Sequence, residues 1–287
     1  MRCRLSLAVL SLVLAAVVLA PAAAGSRDAG IAALQVALQS RGLYAGSIDG
    51  VKGPATTRAI KRFQLRVGLT QDGIAGAQTR KALGRYGRHI LGSRPLTKGA
   101  AGWDVAALQF LLAWHGFPSS TIDGGLGDRT ERALRRFQRW AGLTADGVAG
   151  TTTYAALRRA PASCPIALAW PLEAPVGDPF GPRGNRFHAG LDLVAASGTP
   201  VAAAASGRVV FAGWIAGGWG NLVVVAHTNG VRTMYAHLAR VDVRLGQPVA
   251  TGARVGAVGA TGDATGPHLH FEVRLRGAAV DPRSALA

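Results

Sequence analysis

Cysteine is almost absent from this sequence of 287 residues, which contains only Cys3 and Cys164. If the first residues are removed, Cys164 remains alone, and a single cysteine forms no internal disulfide bond. Cys164 lies near Pro161 and Pro165 in a predicted linker with no paired base in view, so we expect no catalytic thiol. The fold must therefore be stabilised by its hydrophobic cores.

Long apolar runs are rare too, and the clearest one lies at the start of the chain. Arg2 and Arg4 precede an apolar run over residues 5–20, and three alanines follow at 22–24. This order is typical of a signal peptide, and the run is shorter than the ~20 residues of a membrane span. We predict a signal peptide at residues 1–24 and no stable membrane span after its cleavage; an uncleaved anchor is the alternative.

Acidic side chains are scarce: the chain has 15 Asp and Glu against 32 Lys and Arg, a formal net charge of +17. Residues 25–160 contain 20 basic against 8 acidic side chains, whereas residues 161–287 contain 10 against 7. This excess suits an anionic polymer such as wall teichoic acid, anionic lipid or nucleic acid, and a solvated basic surface is the alternative. The sequence has no nucleic-acid motif, so we expect no nucleic-acid partner.

The basic half consists of two copies of one module, because short motifs recur at a constant offset. The recurring motifs are Ala33-Leu34-Gln35 and Ala107-Leu108-Gln109, Ile48-Asp49-Gly50 and Ile122-Asp123-Gly124, and Arg62-Phe63-Gln64 and Arg136-Phe137-Gln138. Apolar residues at helical spacing alternate with Asp-Gly turns, which predicts three short helices in each copy, at residues 29–86 and 101–160. Gln64 and Gln138 fit either a structural role or a ligand-facing one.

These repeats resemble the peptidoglycan-binding domain of wall hydrolases. The shared marks are L-Q, D-G, T-x-x-A-[IL]-x-x-F-Q and G-L-x-x-D-G-x-x-G-x-x-T. The resemblance covers both repeats and implies that they bind peptidoglycan. Neither repeat contains a group of side chains suited to catalysis.

After Trp170 the composition changes to short segments rich in Val, Ala and Gly, bounded by Gly, Pro and Asn. Such segments predict a mainly antiparallel β domain, which we place at residues 165–287. The predicted protein is therefore multidomain, with two small all-α three-helix repeats followed by this β domain.

Five of the seven histidines fall in the last domain, and four of these, with one aspartate, form three motifs. The motifs are His188-x-x-x-Asp192, Tyr235-Ala236-His237-Leu238 and His268-Leu269-His270. Residues i and i+2 of a strand face the same side, so His268, His270 and Glu272 line one face. Two imidazoles and one carboxylate, with an open fourth position, are typical of zinc hydrolases.

Geometry constrains the other two motifs. On a straight strand, His188 and Asp192 would lie about 13 Å apart, so the chain must bend between them, and Ala189-Gly190 is the expected place. Asn229-Gly230 predicts a two-residue hairpin turn that pairs Leu222 with His237 on the face of Tyr235. The same register places His227 on the opposite face, at the surface. His89 and His115 each stand alone, and we expect structural roles for them.

The β domain resembles the lysostaphin-like zinc endopeptidases between Trp170 and Pro282. The matching strings are Phe180-Gly181-x-Arg183, Phe187-His188-x-Gly190-x-Asp192, Gly220-Asn221, Tyr235-x-His237-Leu238 and Thr265-Gly266-Pro267-His268-Leu269-His270-Phe271-Glu272. The resemblance implies one zinc ion per chain bound by His188, Asp192 and His270, with His237 and His268 as the catalytic pair. Spacing alone leaves open whether His268 or His270 is the ligand.

This resemblance implies a secreted zinc metalloendopeptidase, in the cell wall or periplasm, that cuts peptide cross-links or stem peptides of peptidoglycan. Two alternatives are a non-catalytic activator or scaffold, and a wall amidase or carboxypeptidase with similar ligands. For Glu272 we expect either a hydrogen bond to an imidazole or a salt bridge to an arginine. For Trp219 we expect either a contact with substrate or a cap on the sheet.

Overall fold

The computed structural model of the protein describes residues 27–287. The predicted signal peptide at residues 1–24 and Cys3 lie outside the described residues. Within the described range, no helix combines the length and the apolar composition needed to cross a membrane.

The first half of the described chain is helical, as the sequence predicts. Its helices are α1 (Ala29–Gln39), α2 (Pro54–Arg66), α3 (Ala77–Ala82), α4 (Arg85–Arg88), α5 (Trp103–Trp114), α6 (Asp128–Trp140) and α7 (Thr151–Leu157). Helices α1–α3 form the first repeat and α5–α7 the second, with the short α4 between them. The predicted three-helix repeats are confirmed.

Buried glutamines tie the helices of each repeat to its Asp-Gly turns. Nε2 of Gln64, on α2, donates to Oδ1 of Asp72 at 2.6 Å, and Oε1 of Gln64 accepts from the backbone nitrogen of Gly73 at 2.9 Å. Gln138 of α6 binds Asp146 in the same way at 2.8 Å. The same contact joins Gln35 to Asp49 and Gln109 to Asp123. Gln64 and Gln138 are therefore structural, and each aspartate serves a turn.

The two repeats share a hydrophobic core, because α1 packs along α5. Phe63, Trp103 and Phe110 are buried in this core. A second core surrounds Phe137 in the second repeat and includes Ala278 of the β domain. The helical half is therefore joined to the β domain by apolar packing.

The second half is mainly antiparallel β structure, which confirms the predicted fold class. The first strands are β1 (Val176–Asp178), β2 (Gly181–Arg183), β3 (Arg186–His188), β4 (Leu191–Leu193), β5 (Pro200–Ala202), β6 (Gly207–Ile215) and β7 (Gly220–Ala226). The remaining strands are β8 (Val231–Leu238), β9 (Arg240–Val241), β10 (Pro248–Val249), β11 (Arg254–Ala257), β12 (Leu269–Leu275) and β13 (Ala278–Val280).

The main sheet has the order β1-β4-β12-β8-β7-β6-β10, with β13 added beside β12. Strands β5, β11 and β9 form a smaller sheet, and β2 pairs only with β3. Strand β12 alternates in the expected way. Its inward side chains are Leu269, Phe271, Val273 and Leu275, and its outward ones are His270, Glu272 and Arg274. The outward face is the one that carries the polar residues.

The turn between β7 and β8 differs from the two-residue turn that the sequence predicts. The backbone nitrogen of His227 donates to the carbonyl of Val231, and residues 228–230 form a 3-10 turn. The longer turn shifts the register by one residue, so that Val223 lies opposite Tyr235. The predicted register is therefore wrong between Val223 and Ala226, whereas at the start of β7 Asn221 pairs with Leu238, as the predicted register requires.

A β-bulge then reverses the face at the end of β8. The register shifts between Asn221 and Val223, and His237 adopts a left-handed φ of 60°. Tyr235 points into the core, whereas the ring of His237 lies 5.8 Å from that of His270 on the outer face. The predicted common face of His237 and Tyr235 is wrong, because each one-residue shift exchanges the two faces of a strand.

Both repeats contact the hairpin formed by β2 and β3. The ring of Trp114, at the end of α5, lies 5.0 Å from that of Phe187 and 6.2 Å from that of Phe180. The backbone nitrogens of Ile48 and Ile122 donate to carbonyls of the hairpin turn at 2.8 and 2.7 Å. The helical half therefore supports the strand that ends at residue 188.

Candidate metal centre and active site

Three side chains from separate strands converge on the outer face of the β domain. Nε2 of His188, at the end of β3, lies 3.0 Å from Nδ1 of His270 on β12. Oδ1 of Asp192, on β4, lies 2.8 Å from this Nδ1 and 3.1 Å from the Nε2 of His188. The three donor atoms therefore form a nearly regular triangle.

Local backbone geometry creates this convergence. Asp192 lies directly opposite His270 in the pairing of β4 with β12. The chain bends between β3 and β4, as expected, and Gly190 allows the bend to pass close to β12. A Cβ atom at Gly190 would lie 2.4 Å from the carbonyl oxygen of Phe271, which only glycine avoids.

The triangle fits a zinc ion in size and in donor chemistry. Zinc–nitrogen and zinc–oxygen bonds of about 2.0–2.1 Å place tetrahedral donors about 3.3 Å apart, slightly more than the observed separations. Among the described residues, His188, Asp192 and His270 are the group whose donor atoms lie within 4.8 Å of one another. Nε2 of His268 lies 3.8 Å from Oδ1 of Asp192 and outside the triangle.

Further hydrogen bonds orient each member of the triangle. Nδ1 of His188 donates a hydrogen bond to the carbonyl of Pro179 at 3.0 Å, which leaves the lone pair of Nε2 free to bind a metal ion. Nη2 of Arg183 donates to Oδ2 of Asp192 at 2.8 Å, so that Oδ1 faces the histidines. Metal sites use such outer contacts to fix the tautomer and direction of their ligands.

Glu272 combines the two roles between which the sequence left a choice. Its Oε1 accepts from Nε2 of His270 at 3.2 Å, and its Oε2 accepts from Nε of Arg274 at 2.6 Å. The carboxylate is 2% exposed, so the arginine compensates a charge that water does not reach. This chain of contacts leaves Nδ1 of His270 free for the triangle.

The members of the triangle shift one another's ionisation. Burial raises the pKa of Asp192, but hydrogen bonds with His188 and His270, when these rings are protonated, outweigh burial and hold that pKa well below its usual range. Burial lowers the pKa of His270, but hydrogen bonds to Asp192 and Glu272 raise it to about 9. The carboxylates thus stabilise positive charge at this point, whether a proton or a metal ion carries it.

His237 and His268 lie beside the triangle, with ring centroids 4.8 Å apart. Nδ1 of His237 donates to the carbonyl of Thr261 at 2.8 Å, and Nδ1 of His268 donates to the carbonyl of Gly266 at 2.8 Å. Each ring therefore keeps Nε2 available. Burial lowers the pKa of His237, and the neighbouring His268 and His270 lower it further.

The five side chains lie in an open cleft of about 460 Å³. The rings of Trp219 and His270 form a T-shaped contact with centroids 5.5 Å apart. The backbone carbonyl of Trp219 accepts from the backbone nitrogen of His237 at 3.0 Å. Trp219 also packs against Leu222, so it both lines the cleft and covers the sheet. The residues that line the cleft belong to the β domain, so the repeats leave it open.

The other histidines lie away from this cleft. His227 is half-buried rather than at the surface, because its ring bonds Thr233 at 2.8 Å and the carbonyl of Ser206 at 2.9 Å. His115 is buried in the second repeat, and His89 lies exposed in the linker.

Sequence reasoning missed three charged side chains of the cleft. Arg183 belongs to a quoted motif, but its bond to Asp192 depends on the hairpin that carries it. Arg186 and Asp263 also line the cleft. Nothing in their spacing marks them, because they come from separate segments.

Two protein families match the chain. Residues 186–282 match peptidase family M23, and residues 27–83 and 102–157 match the peptidoglycan binding domain. The M23 match contains all five side chains of the triangle and the histidine pair.

Individual relatives match mainly the β domain. The DD-carboxypeptidase/endopeptidase Mpg of Neisseria meningitidis is 45% identical over 115 residues, which are 38% of this chain and 26% of that protein. The murein hydrolase activator NlpD of Salmonella typhimurium is 34% identical over 172 residues, which are 58% of this chain and 45% of that protein. The chain thus spans less than half the length of these relatives.

Among solved structures, the catalytic domain of the antimicrobial peptidase lysostaphin from Staphylococcus simulans is 36% identical. The match covers 38% of this chain and 90% of that one, with a TM-score of 0.37. By these family matches, residues 186–282 belong to peptidase family M23, and two peptidoglycan-binding domains precede them at residues 27–83 and 102–157.

Proposed function

We propose that this protein is a zinc-dependent endopeptidase that hydrolyses peptide cross-links or stem peptides of bacterial peptidoglycan. The observation that carries the proposal is the triangle of His188, Asp192 and His270 beside His237 and His268 in an open cleft. His188, Asp192 and His270 would hold one zinc ion per chain, and His237 and His268 would handle protons.

When bound at the three donors, zinc supplies Lewis-acid chemistry toward a peptide carbonyl and a water molecule. His237 and His268 each present Nε2, because a backbone carbonyl occupies Nδ1. The lowered pKa of His237 keeps its ring neutral near pH 7, as a general base must be. Once protonated, either ring can donate to the leaving amine.

The architecture supports the wall as the place of action. Residues 29–86 and 101–160 would bind peptidoglycan and bring the peptidase domain, residues 165–287, to its substrate. Their basic charge also supports binding to anionic polymers of the wall. With a signal peptide at residues 1–24, the mature protein would be secreted and act in the wall or periplasm.

Hydrolysis is favoured over a purely activating role. The name of one relative, NlpD, describes a murein hydrolase activator. This chain, however, keeps all five side chains that the proposed chemistry needs, at positions where their free nitrogens and oxygens converge. Glu272, itself paired with Arg274, also orients His270 toward the other two donors, as outer contacts do in metal sites.

Alanine substitution of the five side chains tests the assignment. His188→Ala, Asp192→Ala and His270→Ala should lose bound zinc together with activity, because each removes one of three donors. His237→Ala and His268→Ala should keep about one zinc per chain while turnover falls by ~10²–10⁴-fold.

The measurements are metal content by mass spectrometry and product analysis on purified peptidoglycan. His89→Ala is the control, because His89 is exposed in the linker, and it should keep both zinc and activity. Loss of zinc from His268→Ala with zinc retained in His270→Ala would reverse the assignment of that pair. Wild-type protein that binds zinc but releases no fragments would favour the activator.

A further inference from the structure

An arginine-lined cleft runs along α6 of the second repeat and shares no lining residue with the cleft that holds the donor triangle. It has a volume of about 390 Å³ and is closed on one side by residues 118–120. We call it the arginine cleft. Its basic side chains are those of Arg129, Arg132, Arg135, Arg136 and Arg139.

Four of these arginines lack an acidic partner. Arg129, Arg132, Arg136 and Arg139 form no ion pair with any residue in the range 27–287, and residues 1–26 contain no Asp or Glu. The acids on the same helix are already used. Asp128 pairs with Lys98, and Glu131 pairs with Arg135.

The four unpaired charges lie at intervals of three and four residues, so they share one side of the helix. Like charges at this spacing destabilise a helix. Burial lowers the pKa of Arg136, and the nearby charges of Arg274 and Arg132 lower it further. In the isolated protein, repulsion between these positive charges therefore destabilises α6, and a bound anion would remove that repulsion.

The wall of the cleft is also specialised. Ser120 has a left-handed φ of 86°, which is uncommon for serine, and its Oγ accepts from Nη1 of Arg129 at 3.3 Å. At the other end, Arg136 and Arg139 also line a groove of about 460 Å³ that includes Arg276 and Trp140. The basic surface therefore continues from the second repeat onto the peptidase domain.

The first repeat shows that this cleft is not a general property of the module. At the repeat offset, Ala55 and Leu65 of α2 stand where α6 has Arg129 and Arg139. The first repeat therefore lacks both ends of the row. Helix α2 keeps four basic residues of its own, which provides a matched control: Arg58, Lys61, Arg62 and Arg66.

We propose that the arginine cleft binds the carboxylate groups of a peptidoglycan stem peptide. The proposal rests on the proposed function and adds a second site on the same polymer. Guanidinium groups pair with carboxylates through two parallel hydrogen bonds. The row from Arg129 to Arg139 is about 15 Å long at 1.5 Å per residue. An extended peptide of about four to five residues, at 3.3–3.6 Å each, spans that length.

Binding to isolated sacculi tests the site, with His237→Ala as the background so that the wall is not digested. The cleft variant combines Arg129→Gln, Arg132→Gln, Arg136→Gln and Arg139→Gln. The control variant combines Arg58→Gln, Lys61→Gln, Arg62→Gln and Arg66→Gln, with the same change in net charge. Glutamine keeps the helix propensity of arginine, so both variants should fold, which circular dichroism verifies.

We expect the cleft variant to bind sacculi at least ~10-fold more weakly and the control variant less than ~3-fold more weakly, because several charge-assisted bonds are lost only in the former. On sacculi whose carboxyl groups have been amidated, the cleft variant and the unsubstituted background should bind alike. Removal of phosphodiester-linked polymers with hydrofluoric acid should leave the difference between the cleft variant and the control variant unchanged.

Equal weakening of the two variants would overturn the proposal, since net charge would then explain binding. Binding that survives amidation but is lost after removal of phosphate polymers would also overturn it in favour of those polymers. A second assay, hydrolysis of a short soluble muropeptide, separates this site from the proposed function. It uses the cleft variant with His237 intact. If even the wild type leaves that peptide intact, the proposed function fails and the binding result stands on its own.

Discussion

Trp114→Ala should weaken zinc binding, although Trp114 lies in the second repeat and contacts no donor atom. Its ring packs on Phe187 and Phe180, which belong to or adjoin the β2–β3 hairpin. His188 follows Phe187 directly and supplies one corner of the triangle. Because β2 and β3 form a separate two-stranded sheet, the hairpin depends on contacts outside the main sheet, such as the bridge between Arg186 and Thr121.

The expected size of the effect follows from these contacts. Each aromatic pair contributes about 0.5–1.5 kcal/mol beyond its area burial, so the two pairs to the hairpin contribute about 1–3 kcal/mol. If this energy holds His188 in place, its loss weakens zinc binding by about 5- to 140-fold, since 1.4 kcal/mol corresponds to tenfold. Turnover at saturating zinc should fall less than zinc affinity.

Zinc affinity is measured by competition with a chromogenic chelator, alongside the midpoint of thermal unfolding. Phe63→Leu is the control, because Phe63 is 1% exposed in the core between the repeats and has no aromatic contact with the hairpin. It should lower the unfolding temperature and leave zinc affinity unchanged. If Trp114→Ala lowers the unfolding temperature but not zinc affinity, the repeats do not support the metal site.

Three other substitutions test separate parts of the structure. Glu272→Gln should lower zinc affinity by ~10–100-fold in a chelator competition, because it removes the charge behind His270; unchanged affinity would contradict this role. Gly220→Ala should lower turnover with zinc retained, since Gly220 has a φ of 64° and a Cβ there would lie 2.4 Å from Oγ1 of Thr261. Unchanged turnover would show that the loop carrying Trp219 adapts. Burial lowers the pKa of His115, so the unfolded chain takes up a proton that the folded chain resists, and stability falls as pH decreases below about 6.5. Thermal unfolding of His115→Gln should depend less on pH between about 7.5 and 5 than that of the wild type, and an equal dependence would refute this.

The sequence by itself determined the features that depend on local patterns. Helical spacing of apolar residues and recurring Asp-Gly pairs were enough to predict two three-helix repeats, because helices and turns form from neighbouring residues. The alternation along β12 placed His270 and Glu272 on one face for the same reason. The motif spacing also indicated a metal site, but the assignment of its five side chains stays a prediction.

Only the tertiary structure decided which way His237 points. The turn after β7 is longer than a two-residue hairpin, and a bulge in β8 adds a second shift, so that two errors of one residue partly cancel. The structure also placed His268 outside the donor triangle and brought Arg183 to Asp192. Trp114 and Phe187 meet although more than seventy residues separate them in sequence. Such contacts follow from the packing of whole strands and domains, which short-range patterns in a sequence do not encode.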